Sequence, residues 1–97
     1  MSVVDIDEAA FLALTARISV EAPSLSNLAA GLLAAGQLGL VKDSRSFAQG
    51  FDVAHALTLR ALTELSEAGL VDIAQRDPRS QRSTFVVTEK GRQRAAA

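Results

Sequence analysis

Gly69 divides the chain into two kinds of pattern, and that break limits the folds open to it. Over residues 53–68 apolar side chains recur every three or four positions, with Ala54, Ala61, Leu62 and Leu65 on one helical face. After Gly69 the period changes. Residues 70–76 and 83–88 are rich in β-branched and apolar types and flank a polar turn, Asp77-Pro78-Arg79-Ser80-Gln81-Arg82. A glycine just past a helix, then two short strands about a polar turn, predicts a helix that runs into a β-hairpin with a basic tip.

Upstream the pattern is helical throughout. Residues 5–21 read as a helix capped at Asp5 or Asp7, with Ile6, Ala10, Leu14 and Ile18 at helical spacing. Ala9, Leu12 and Ala16 add a second apolar stripe, a width that implies burial on more than one side. Pro23 ends this helix. Ser24 is the expected cap of a second helix running to about Gln37, with Gly36 and Gly39 as candidate stops. A short third helix is expected from Ser44 or Arg45 to Gly50, capped by Asp43 or Ser44. Asp52 is the expected cap of the helix over 53–68, and Thr88 of a last short helix, Glu89 to about Arg94, before an alanine tail.

Ninety-seven residues, 48% of them hydrophobic, suit one domain with one core. With no Cys, Trp or Tyr and only four Phe, that core must be mostly Ala, Leu and Val. The same counts exclude disulfide scaffolds, thiolate metal sites and cysteine nucleophiles, and a single His leaves little room for a His-based metal site or triad. No acid–base constellation or phosphate loop is visible, so neither an enzyme nor a cofactor is expected. No apolar run is long enough to span a bilayer, and Met-Ser-Val-Val-Asp is no secretion signal, so the expectation is a cytoplasmic protein without a membrane partner.

The element order, a short helix, a tight turn, a longer helix and a hairpin, is that of a winged helix-turn-helix: mainly α with a small β-hairpin wing. The run Phe47-Ala48-Gln49-Gly50-Phe51-Asp52-Val53-Ala54-His55-Ala56-Leu57-Thr58-Leu59-Arg60-Ala61-Leu62, continuing to Gly69-Leu70-Val71, resembles the helix-turn-helix of the MarR family without a gap. The turn at 77–82 and Thr88-Glu89-Lys90-Gly91-Arg92 are similar to that family's arginine-bearing wing tip and to the Thr-x-x-Gly that opens its next helix. The resemblance covers about residues 24–92. It divides the chain into an N-terminal helix 5–21, a helical core 24–68 containing the helix-turn-helix 44–68, a wing 70–88 and a short helix and tail 89–97. The family usually has Ser or Thr at the places of Ala54 and Ala56, and Asp at that of Ser80. It also has long terminal helices that are reduced here to 5–21 and a stub after Thr88, so its ligand pocket is not carried over.

The resemblance implies a transcriptional regulator that binds double-stranded DNA as a homodimer, with its second motif helix in the major groove. On that helix His55, Ala56, Leu59, Arg60 and Thr63 are expected to point away from the core. Arg60 suits guanine or phosphate, and Ala56 and Leu59 suit only apolar features. Arg76, Arg79 and Arg82, with Ser80 and Gln81, make the wing a candidate for a narrow minor groove or adjacent phosphates. Arg45 and the backbone amides beside it are candidate phosphate ligands. The candidate dimer residues are Ile6, Ala10, Phe11, Leu12, Leu14 and Ile18. The alternative is a winged-helix protein-interaction module that binds no DNA itself, because its recognition face is mostly Ala and Leu and a broad apolar stripe calls for a protein partner.

Charge separates along the chain. The net charge is −1, yet residues 1–75 carry four basic and nine acidic side chains, and residues 76–97 carry six and two. The basic charge lies on the wing and on the residues after it.

Overall fold

Seven consecutive buried residues, Ala29 to Ala35, form the axis of the molecule. In a computed structural model that describes residues 3–95, with side chains described from Glu8 to Ala95, they lie on α2 (Asn27–Gln37). Around α2 are α1 (Val3–Glu21), α3 (Ser44–Gly50), α4 (His55–Glu67), the antiparallel pair β1 (Val71–Arg76) and β2 (Ser83–Val87), and α5 (Glu89–Ala95). The chain is mainly α with a two-stranded hairpin, an architecture compatible with a winged helix.

Small side chains on α2 let its neighbours approach from several sides. The Phe11 ring of α1 lies over Gly31, where an added Cβ would sit 3.5 Å from it. Phe85 of β2 fills the space at Gly36, where an added Cβ would come within 2.8 Å of the ring. Leu32, Leu33, Leu62, Leu65 and Ile18 are fully buried between these elements. Each contributes about 1.5–3 kcal/mol by leaving water.

Hydrogen bonds close the helix ends. Ser26 caps α2, its Oγ accepting from the Ala29 amide at 3.1 Å. Glu64 of α4 supplies the reciprocal acceptors, taking the Ser26 amide at 2.7 Å and the Ser26 hydroxyl at 2.8 Å. This arrangement works like a capping box, with its glutamate donated by another helix. Three helices end in one way. Leu40, Val53 and Leu70 amides return to the carbonyls of Ala35, Ala48 and Leu65, around left-handed residues Gly39, Asp52 and Gly69.

The boundaries differ from expectation at several points. The cap of α2 is Ser26 rather than Ser24, because the Leu25 amide first closes a turn on Ala22. Gly36 lies inside α2 as a contact point for Phe85, and the chain reverses only at Gly39. Asp52 does not cap α4. It is spent ending α3 at φ +54°, and Ala54 holds the capping position of α4 without a side-chain bond. Ala54 is exposed, and the core face of α4 uses Thr58 instead, whose hydroxyl donates to the Ala54 carbonyl at 3.3 Å. The residues predicted at the end of the alanine tail, 96–97, lie outside the described residues.

The two apolar stripes of α1 have opposite fates. Leu14 and Ile18 are buried in the core, and Phe11 packs at a tilt against Phe51 with 4.8 Å between ring centres. These three are therefore internal packing residues and not a free dimer surface. Ala10 is exposed at the flank of the helix, and the Ile6 side chain lies outside those described. The second stripe, Ala9, Leu12 and Ala16, faces outward with Ala13 and Val20; Leu12 is 59% exposed and Val20 77%. No helix among the described residues is long and apolar enough to cross a membrane.

Gly91 explains the Thr-x-x-Gly signature. The Thr88 hydroxyl donates to the Gly69 carbonyl at 2.7 Å and accepts the Gly91 amide at 3.0 Å. This holds α5 so close over Leu70 that a Cβ on Gly91 would collide with the Leu70 carbonyl. Gly91→Ala is expected to cost about 1–3 kcal/mol of stability by overpacking. Gly50→Ala, where an added Cβ meets nothing within 4 Å, is expected to gain up to about 1 kcal/mol. Urea midpoints of the two variants should move in opposite directions.

Candidate nucleic-acid interface

The outward face of α4 follows from its core face. Thr58, Ala61, Leu62 and Leu65 are buried, so Ala56, Arg60, Thr63 and Glu67 line the opposite side, and all four are exposed. Arg60 makes no hydrogen bond or ion pair among the described residues, because Glu64, its neighbour one turn on, is held by Ser26. Thr63 donates its hydroxyl to the Leu59 carbonyl at 3.0 Å and presents only its acceptor lone pairs. Leu59 is half-buried on the flank, and Leu57, on the other flank, is 47% exposed.

His55 opens α4 but does not point freely outward. Its Nε2 lies 2.8 Å from the Ser44 Oγ. Burial lowers its pKa below the ordinary imidazole value, the Arg45 guanidinium lowers it further, Asp43 opposes, and Arg82 adds to the lowering.

The wing is tied to the start of α3 by three residues in a row. Asp43 lies 3.8 Å from the Arg82 guanidinium and forms a β-bridge with Thr84. The Ser44 hydroxyl accepts the Ser83 amide at 2.9 Å. Arg45 donates to the Ser80 carbonyl at 2.8 Å. One residue earlier, the Lys42 carbonyl accepts the Phe85 amide at 3.0 Å. Segment 42–45 thus runs along the free edge of β2, the side not taken by β1.

The tip is ordered by its own bonds. The Asp77 carboxylate accepts the Arg79 amide at 2.9 Å, a contact that holds its pKa below the ordinary aspartate value. The Gln81 amide donates to the Asp77 carbonyl at 2.8 Å, and Gln81 itself is left-handed at φ +62°. Its side-chain amide donates to the Pro78 carbonyl at 3.2 Å. The Ser80 hydroxyl accepts the Arg82 amide at 3.2 Å. A bulge at Ala74 breaks the register between Ile73 and Gln75, and beyond it Arg76 Nε donates to the Ser83 hydroxyl at 2.9 Å. The Arg79 guanidinium has no partner among the described residues.

The candidate residues therefore separate by task. Ala56, Arg60 and Thr63 share one outward stripe of α4, and Arg79 and Gln81 are exposed at the wing tip. Arg45 and Arg82 tie the wing to the start of α3, His55 ties α4 to the same place, and Arg76 and Ser80 bond within the wing. The amide of Ser46 at the start of α3 is taken by Asp43 at 2.8 Å and is not open to a phosphate. Asp43, Ser44 and Ser83 are not among the residues that sequence reasoning marks as functional. Helix-start chemistry singles out Asp43 and Ser44 in sequence, but a serine pairing across 39 positions leaves no local signal. No group of three or more His, Cys, Asp or Glu side chains among the described residues is placed to hold a metal ion.

No family model and no curated protein matches the chain.

Arg45→Ala is expected to loosen the wing tip by about 1 kcal/mol, the scale of one charge-assisted bond at a partly exposed site. Amide exchange at residues 79–82 should quicken, while Arg79→Ala leaves it unchanged.

Proposed function

We propose that this domain is a MarR-like transcriptional regulator that binds duplex DNA in the cytoplasm as a homodimer, with α4 in the major groove and the wing beside it. The observation that carries this reading is two guanidinium groups without a partner among the described residues, Arg60 on the outward stripe of α4 and Arg79 at the wing tip. Arginines free of internal partners can neutralise phosphates and release counterions at no structural cost. Ala56, between Arg60 and the start of α4, lets the backbone of that helix approach a groove floor closely. Arg60 is the one side chain of the stripe able to read guanine bidentately.

A second reading, a protein-interaction domain that binds no DNA itself, draws on the 47% exposed Leu57 beside that stripe. Titration of a duplex pool at rising salt separates the two. DNA binding predicts an affinity that falls steeply with salt, and Arg60→Ala and Arg79→Ala should each weaken binding and take about one unit from the log–log slope. Absence of duplex binding at low salt overturns the first reading.

For the dimer, the surface in question is the outer stripe of α1, Ala9, Leu12, Ala13, Ala16 and Val20. Two copies on one duplex require recognition helices about 34 Å apart. Leu12→Asp is expected to give a folded monomer by light scattering and circular dichroism. Leu14→Asp should unfold the chain, since Leu14 is 7% exposed within one copy.

A further inference from the structure

We propose that Ser44 and His55 are positioning residues that fix the angle between α4 and the wing, through a joint that acid opens. This rests on the DNA-binding reading for its consequence, but the joint itself belongs to the free protein.

The Ser44 hydroxyl is where three elements meet. It starts α3, accepts the first amide of β2 at 2.9 Å, and lies 2.8 Å from the first side chain of α4. Ser44 and Ser83 are both fully buried. The Ser83 amide can only donate, so it occupies a lone pair of Oγ. Among the described residues the Ser44 proton then has one acceptor within reach, His55 Nε2. That assigns the ring proton to Nδ1 and makes the neutral imidazole the form in which the buried Ser44 hydroxyl both donates and accepts.

The opposite tautomer or the imidazolium reverses the bond. Oγ must then accept from both Nε2 and the Ser83 amide, and the wholly buried Ser44 proton has no acceptor. The charged groups facing His55 are Arg45 of α3, Asp43 at its cap and Arg82 of the wing. Burial and the two arginines favour the neutral ring, and Asp43 alone favours the charged one. With the folded pKa below the ordinary value, the unfolded chain binds the proton more tightly. Stability from this joint is complete above the ordinary value and is lost as pH falls through the folded one.

The joint matters for DNA because neither Arg60 nor Arg79 is held by a bond of its own. Their separation depends on how α4 and the wing are fixed to each other, and among the described residues Ser44 is the one side chain bonded to both. A reading head preset in this way binds without first losing the freedom of the wing.

The test uses the full chain, with His55→Ala, which removes the acceptor, and His55→Gln, which keeps an uncharged acceptor. Ring nitrogen shifts of the wild type should report the Nδ1–H form. As pH falls from about 8 to about 5, the range in which histidine charges, Ser83 amide protection should drop with the His55 titration. His55→Ala should lack that protection at every pH, and His55→Gln should keep it at every pH. At the upper pH, where His55 is neutral, His55→Ala should weaken duplex binding about fivefold with an unchanged salt slope, and His55→Gln should restore it. An Nε2–H tautomer, Ser83 protection indifferent to His55 charge, or a His55→Gln variant no better than His55→Ala overturns the proposal. If no duplex binds at all, the regulator reading fails, and the shift and exchange measurements still decide the joint.

Discussion

The whole arrangement depends on α2 being thin. A helix enclosed on several sides cannot carry large side chains all round unless its neighbours stand off, and this chain is too short to surround a wide core. Its sequence, Asn-Leu-Ala-Ala-Gly-Leu-Leu-Ala-Ala-Gly-Gln, resolves the conflict. Leu32 and Leu33 project into the core, while Ala29, Ala30, Ala34 and Ala35 keep the remaining faces close. Gly31 and Gly36 admit one aromatic ring each. The glycines that lower helix propensity are thus the points where Phe11 and Phe85 bring α1 and β2 onto the axis. A weak local preference is overridden by what it allows in packing.

From that axis the position of the wing follows. Phe85 seats β2 against α2, and β2 then presents its free edge to segment 42–45. That edge is covered by side-chain and carbonyl groups at the start of α3 rather than left open, which also shields a short hairpin from pairing with other chains. The helix-turn-helix and the wing are consequently one polar assembly as well as neighbours on a core. Its buried members are small serines, whose hydroxyls both donate and accept, and no buried side-chain polar atom among the described residues lacks a partner.

The element order is legible in the sequence because each of its signals is local. The switch of period at Gly69, the polar turn at 77–82 and the Thr88–Gly91 spacing all act within a few residues, and the structure shows an element at each. The hidden part is long-range. Leu14 and Ile18 share their apolar character with Leu12, and nothing in the spacing says which stripe of α1 meets α2. Asp52 has the composition of an N-cap, but Val53 closes on Ala48 first, so the same residue ends α3 instead of starting α4. For the candidate interface, basic side chains are visible as charge, whereas their division into anchored and unclaimed groups needs the positions of Ser80, Ser83 and Glu64. Helical phase alone sends His55 outward, because it ignores a neighbour contributed by another helix.

That division bears on the charge gradient. An arginine anchored to a carboxylate loses most of its field, but one anchored to a neutral oxygen keeps it. Arg45 is held by the Ser80 carbonyl and Arg76 by the Ser83 hydroxyl, both neutral acceptors. Among the described residues only Arg82 of the wing arginines faces a carboxylate, and at 3.8 Å with its side chain 54% exposed it is weakly neutralised. Arg45 and Arg76 are thus spent on structure without spending their charge. A chain whose total is −1 carries three arginines and one aspartate over 76–82, while Glu8 and Glu21 lie on α1 and Glu64 on α4. The dipolar layout, rather than the total, is what an approaching polyanion would meet.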